Sequence, residues 1–242
     1  MRLEGSYYTQ GLEILDDMTD EELLVLRDIY LKKGGSLTST IELYEEYKDD
    51  PNHPTSYVDL IRKELREYGS NTFHLEPATY KEVLCKVCDK MNVNYNKARS
   101  IEHIEENLLE KVLTDTWENM SKDEKDAVLN KIGKTGSMHG LGAGALVGIF
   151  RVGGFASYQL VAIVANMVVK MVLGRGLSIA ANAALIRAFS FFAGPIGLAL
   201  TAAWTIVDIA GPAYRVIVPA VIYIAAMRRV HNAPEEYKNV VF

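Results

Sequence analysis

Apolar residues recur every three to four positions through residues 12–132 and then merge into nearly unbroken runs over residues 139–227. The first pattern predicts a series of short amphipathic helices. Leu23, Leu24, Leu26 and Ile29 form a stripe behind Thr19-Asp20-Glu21-Glu22, the pattern of a capping box, and Gly34-Gly35 stops that helix. A second short helix is expected over Ile41–Tyr47, after which Pro51 and Pro54 punctuate the chain. Tyr57, Leu60, Ile61, Leu65 and Tyr68 repeat the helical spacing up to Gly69, and Pro77–Met91 carries a further apolar-periodic run. Ser100 opens a helix with Ile101, Ile104, Leu108, Val112 and Trp117 on one face. Ser121-Lys122-Asp123-Glu124 is a second capping box, and its helix runs to Ile132. No run alternates with period two for long enough to suggest a strand, so this head reads as all-α.

The second pattern consists of four runs almost free of charge: Val152–Val169, Gly176–Ile186, Ala188–Val207 and Val216–Met227. Gly194-Pro195 and Gly211-Pro212 each place glycine at a helix end and proline at the next start. Helices are therefore expected near 146–173, 176–192, 195–210 and 212–229. A spanning helix needs about 20 apolar residues, and only the first run, extended to Leu173, reaches that length. Residues 133–144, GKTGSMHGLGAG, hold five glycines and read as a hinge. The expected organisation is a short N-terminal helical domain (1–36), an acidic helical domain (37–132), the hinge (133–144), an apolar Gly/Ala-rich helical bundle or hairpin (145–230) and a tail (231–242).

Charge sharpens this division. Residues 1–138 hold 18 basic and 28 acidic side chains, a net of −10. Residues 139–227 hold only Arg151, Lys170, Arg175, Arg187, Asp208 and Arg215, a net of +4. About two-thirds of that second segment is apolar, above the ~45–50% of an ordinary domain. The overall net charge of −5 argues against a general nucleic-acid binder, which shows a basic face. The first residues contain no apolar h-region, so no secretory signal is expected.

The candidate chemistry is sparse. Cys85 and Cys88 form a C-x-x-C in mid-helix, with no preceding strand and no second pair to complete a zinc site. Structural packing is the expectation, in a reducing cytosol. Gly133-Lys134-Thr135 ends like a P-loop, but Val128 stands where its first glycine belongs. Gly140-x-Gly142 begins like a dinucleotide fingerprint, but Ala145 replaces the third glycine. His53, His74, His103, His139 and His231 show neither triad nor metal-ligand spacing. No catalytic residue, cofactor or metal is expected.

The apolar segment has two readings. It is the core of a soluble bundle, or it lies on or enters a bilayer. Dense alanines suit close helix packing in lipid. Tyr158, Trp204, Tyr214 and Tyr223 suit an interface. Arg151, Arg175, Arg187, Arg215 and the terminal Arg228-Arg229 suit anionic headgroups. Asp208, the one acid of the segment, is expected to pair with Arg215 or Arg187, and its protonation at low pH would release the tail.

The string FAGPIGLALTAAWTIVDIAGPAYRVIVPA (192–220) resembles the YaaW family, also termed UPF0174. The similarity continues through residues 153–185 and 83–113, and residues 10–35 resemble the short N-terminal domain that often precedes it. The resemblance implies a bacterial, helical protein with a ubiquinol-cytochrome c chaperone-like label, through distant similarity to assembly factors of the bc1 complex. It brings no catalytic motif and no functional residues. The leading expectation is thus a non-enzymatic helical protein that associates with anionic lipid at the cytoplasmic face of the inner membrane, by conditional insertion or pore formation and with oligomers on the membrane. The alternative is a chaperone or assembly factor that holds hydrophobic protein segments.

Overall fold

The computed structural model describes residues 9–33, 57–70, 77–133, 141–173 and 212–237. The helices expected at 41–47, 176–192 and 195–210 lie outside these residues, as does most of the hinge. The described residues form an all-α fold of nine helices: α1 (Ile14–Asp17), α2 (Asp20–Lys33), α3 (Tyr57–Gly69), α4 (Tyr80–Lys90), α5 (Ile101–Asn119), α6 (Lys122–Lys131), α7 (Ala143–Val152), α8 (Gly154–Leu173) and α9 (Tyr214–His231).

The start signals act as their chemistry requires. At α2, the Thr19 hydroxyl accepts from the Glu22 amide (3.3 Å) and the Glu22 carboxylate accepts from the Thr19 amide (2.8 Å). Ser121 and Glu124 form the same reciprocal pair at α6, and Thr79 and Glu82 form one at α4. Ser100 caps α5 by accepting from the His103 amide. Each device satisfies amides that the first helical turn would otherwise leave unpaired.

One boundary differs from the sequence reading. The single helix expected over 146–173 is two helices, α7 and α8. Gly153 and Gly154 take φ of +78° and +73°. This left-handed backbone is open to glycine and strained for other residues. No atom lies within 4 Å of where a Cβ would stand at either position, so the backbone angle alone asks for glycine. The break lets α7 pack on α5 while α8 packs on α9, α2 and α5.

Helix α9 is the axis of the fold. It packs against α1, α2, α3, α4, α5 and α8, and every residue from Val216 to Arg228 is buried. An apolar helix surrounded on all sides needs no polar face, which explains the unbroken hydrophobicity of this run. The amide of Ala213, just before α9, donates to the carbonyl of Tyr68 at the end of α3 (2.8 Å). Lys86 of α4 donates to the Gly69 carbonyl (2.8 Å). Among the described helices, those before and after residues 133–144 therefore share one continuous core.

The α3–α4 contact tests the packing. A Cβ at Gly69 would stand 2.3 Å from Val83 Cγ2 and 3.2 Å from Val83 Cβ. Valine is stiff at χ1 and yields little. Gly69→Ala should cost about 1–3 kcal/mol in urea unfolding through overpacking. Adding Val83→Ala should cost less than the sum of the two single changes. Additive losses would show that this contact is not the constraint.

Candidate functional site

Glu102, Glu105, Glu106 and Leu109 follow helical spacing along one face of α5. Ala225, Arg228, Arg229 and Asn232 follow the same spacing at the C-terminal end of α9. The two faces oppose each other across a cleft of about 300 Å³, closed on one side by Tyr158 of α8.

At its base lies a buried ion pair. Arg228 Nε donates to Glu105 Oε2 at 2.6 Å, and Arg228 Nη2 reaches Glu105 Oε1 at 3.3 Å. The side chains are only 9% and 3% exposed. The Tyr80 hydroxyl donates to Glu105 Oε1 at 2.6 Å, and the Gly11 carbonyl accepts from Arg228. Burial pushes the Glu105 carboxyl up from the ordinary carboxylate range, and Arg228 and the Tyr80 hydroxyl pull against that shift. Burial works against charge on Arg228 as well, and the Glu105 carboxylate reverses it, so the guanidinium stays charged. Burial also holds the Tyr80 phenol well above its usual range. Gly11 completes the set with a φ of +82°, and a Cβ there would stand 2.3 Å from Ile101 Cδ1.

Nearer the surface, Arg229 Nη1 donates to Glu106 (2.8 Å), while Nη2 donates to the Phe150 carbonyl (2.9 Å) and to Ser157 Oγ (3.1 Å). The Arg229 guanidinium also lies 4.1 Å from the centroid of the Phe150 ring. His231 Nε2 lies 3.0 Å from Glu22, the carboxylate that caps α2. Arg151 makes a two-pronged contact with Glu110 at 2.6 and 2.7 Å. Arginines that follow the acidic head thus pair with its carboxylates inside one molecule at three points, and His231 adds a contact to Glu22.

Of the residues singled out from sequence, Arg151 is on this seam, paired with Glu110. Tyr214 is half-buried, with Lys90 Nζ 4.6 Å from its ring centroid. Tyr223 is fully buried, and its hydroxyl has no hydrogen-bond partner. In this conformation it belongs to the core and not to an interface. Arg215 acts on Tyr68, lowering its pKa against the stronger effect of burial. Asp208, Arg187, Arg175 and Trp204 lie outside the described residues. Sequence reasoning passed over Tyr80, Glu105 and Glu106, read Glu22 only as part of a capping box, and treated Arg228 and Arg229 only as headgroup cations. One signal was available. Glu105 sits between Ile101 and Leu108 on the apolar stripe of α5, where an acid needs a base.

The central carboxylate and guanidinium are committed to each other. Cys88 is buried, and burial pushes its thiol up to about 12, which suits packing and opposes thiolate chemistry. Among the described residues, no group of three or more His, Cys, Asp or Glu side chains could hold a metal.

An all-α chain in which head helices and α8 together enclose an apolar helix is the class of protein defined here. The chain belongs to the ubiquinol-cytochrome C chaperone family, whose pattern matches residues 86–221. A UPF0174 protein of Helicobacter pylori (strain J99) is 41% identical, over 96% of each chain. A second UPF0174 protein of that strain is 36% identical over 80% of this chain and 96% of its own. The UPF0174 protein YaaW of Escherichia coli (strain K12) is 26% identical over 93% and 95%. No solved structure matches.

A second buried acid, on α3, gives the fold a pH test. Glu64 of α3 is 3% exposed, and one of its carboxyl oxygens has no hydrogen-bond partner. Burial, aided by the charge of Glu67, pushes its pKa up to about 7, against Lys63 and the Tyr68 hydroxyl. The folded state therefore holds this proton to a higher pH than the unfolded chain does. The associated stability is present below pH ~4.5 and is lost as pH rises through 7. Glu64→Gln, neutral throughout, should match the wild type at pH 5 and exceed it by ~1–2 kcal/mol at pH 8 in urea unfolding, after discounting for solvent. Parallel stability curves from pH 5 to 8 would contradict this.

Proposed function

We propose that the protein is a non-enzymatic chaperone or assembly factor that holds apolar helical segments of membrane proteins. The observation that carries this reading is α9. It is an apolar run with no charge from Val216 to Met227 and two arginines behind. The helices of the acidic head and α8 together enclose it. A layer of helices that solvates such a segment in water has the chemistry needed to keep a client segment from aggregating. Membership of the chaperone family supports the same reading, as does a central polar network committed to holding.

A second reading, association with an anionic membrane at its cytoplasmic face, draws on α8. The stretch Gly154–Val172 has a mean hydropathy of 1.6 and is long enough to cross a bilayer. Two-thirds of that window is buried (67%), and Arg151, Arg228 and Arg229 are engaged by acids of α5. Lipid insertion therefore requires α8 to leave its partners first. Oligomers on the membrane and the pH release through Asp208 belong to this reading.

The two readings part in one experiment. The full chain is mixed with an apolar helical peptide that aggregates in buffer, and separately with dye-loaded vesicles of anionic lipid. The chaperone reading expects light scattering by the peptide to fall to baseline near equimolar protein, with no dye released. Dye release without any effect on peptide scattering would overturn it in favour of insertion.

A further inference from the structure

We propose that the cleft between α5 and the end of α9 is a docking site for the basic end of a partner's apolar helix, with Glu102 and Glu106 receiving its arginine or lysine side chains. This rests on the chaperone reading and names what the client must carry. The chain itself supplies the precedent. The C-terminal end of α9 is such a helix end, and Glu105, Glu106 and Glu22 already meet its Arg228, Arg229 and His231 at 2.6, 2.8 and 3.0 Å. The resident end does not fill the acidic face. An open volume of about 300 Å³ remains beside it.

The charge of that volume is lopsided. Three carboxylates, Glu102, Glu105 and Glu106, line it against two guanidiniums, Arg228 and Arg229. Glu102 is exposed, and a hydrogen bond from its own backbone amide, with a further one from Ser100, holds its carboxyl below the usual range. It is charged at neutral pH. Glu106 is half-exposed, with Arg229 on one oxygen and His103 Nδ1 4.0 Å from the other, and its carboxylate still faces solvent. The C-terminus of α9 directs the negative end of its helix dipole to the same place. These terms favour a cation and oppose an anionic headgroup.

The rest of the lining fits a long basic side chain and not a compact ion. Leu109 and Ala225 offer an apolar floor for the methylene stem. The Tyr158 ring, paired with Tyr237 at a centroid distance of 5.6 Å, offers a face for the charged head. Docking here leaves α9 in the core, so recognition does not require the fold to open.

The test uses the full chain and two labelled helical Leu/Ala peptides, one ending in two arginines and one in two glutamates, with binding read by fluorescence anisotropy. The arginine peptide should bind about tenfold more tightly, and added salt should remove the difference. Glu102→Gln changes one exposed carboxylate, and circular dichroism checks that its fold is kept. It should lower affinity for the arginine peptide severalfold and leave the glutamate peptide unchanged. Glu106→Gln, which leaves Arg229 its contacts with Phe150 and Ser157, should do the same. Equal, tight binding of both peptides would overturn the docking site and leave the chaperone reading standing. Binding of neither would overturn both. Binding of anionic vesicles in place of either peptide would overturn the site in favour of a lipid surface.

Discussion

The buried pair of Glu105 and Arg228 is the interaction on which the rest of the structure depends. It joins positions 123 residues apart and ties α5 of the acidic layer to the end of the apolar core helix. Two charges in such a place are tolerable only when each is paired and hydrogen-bonded. Here the Tyr80 hydroxyl and the Gly11 carbonyl add further hydrogen bonds, so four separate segments converge on one ion pair. Leaving either charge alone would expose the full cost of burying it. The pair is thereby a strong device for register. It fixes which turn of α9 faces which turn of α5, and the Glu106–Arg229 and Glu22–His231 contacts follow from that register.

The asymmetry of charge along the chain takes its meaning from this seam. An acidic head and a cationic, apolar segment suggest two objects, one for water and one for lipid. The described helices are in contact as one core, in which acids of α5 neutralise arginines at the end of α9 and at the α7–α8 junction. The apolar helices are apolar because helices surround them. Under the proposed chaperone role, the same surface chemistry suits a helix from another chain.

Much of the local structure was legible from residues alone. The capping boxes at Thr19–Glu22 and Ser121–Glu124, the Ser100 cap and the helix after Gly211-Pro212 depend on neighbours a few positions away, and spacing reveals them. The break at Gly153-Gly154 was hidden because hydrophobicity continues across it, although the glycine pair itself was the sign. The site was harder to read. Pattern shows that Glu105 interrupts an apolar stripe, but not that Arg228 meets it, because that pairing depends on how α9 lies within the core. For the same reason Tyr223 reads as an interfacial aromatic in sequence and is fully buried in the fold.

The central claim is that the Glu105–Arg228 pair holds the acidic layer to the apolar core as one cooperative unit. A double-mutant cycle with Glu105→Gln, Arg228→Gln and both together, read by urea unfolding of the full chain, tests it most directly. Each single change should destabilise by about 3–5 kcal/mol, because it strands a buried charge or its partners. The double change should cost less than the sum by more than about 1 kcal/mol. Small, additive losses would contradict the account and show that the layers are held together without this pair.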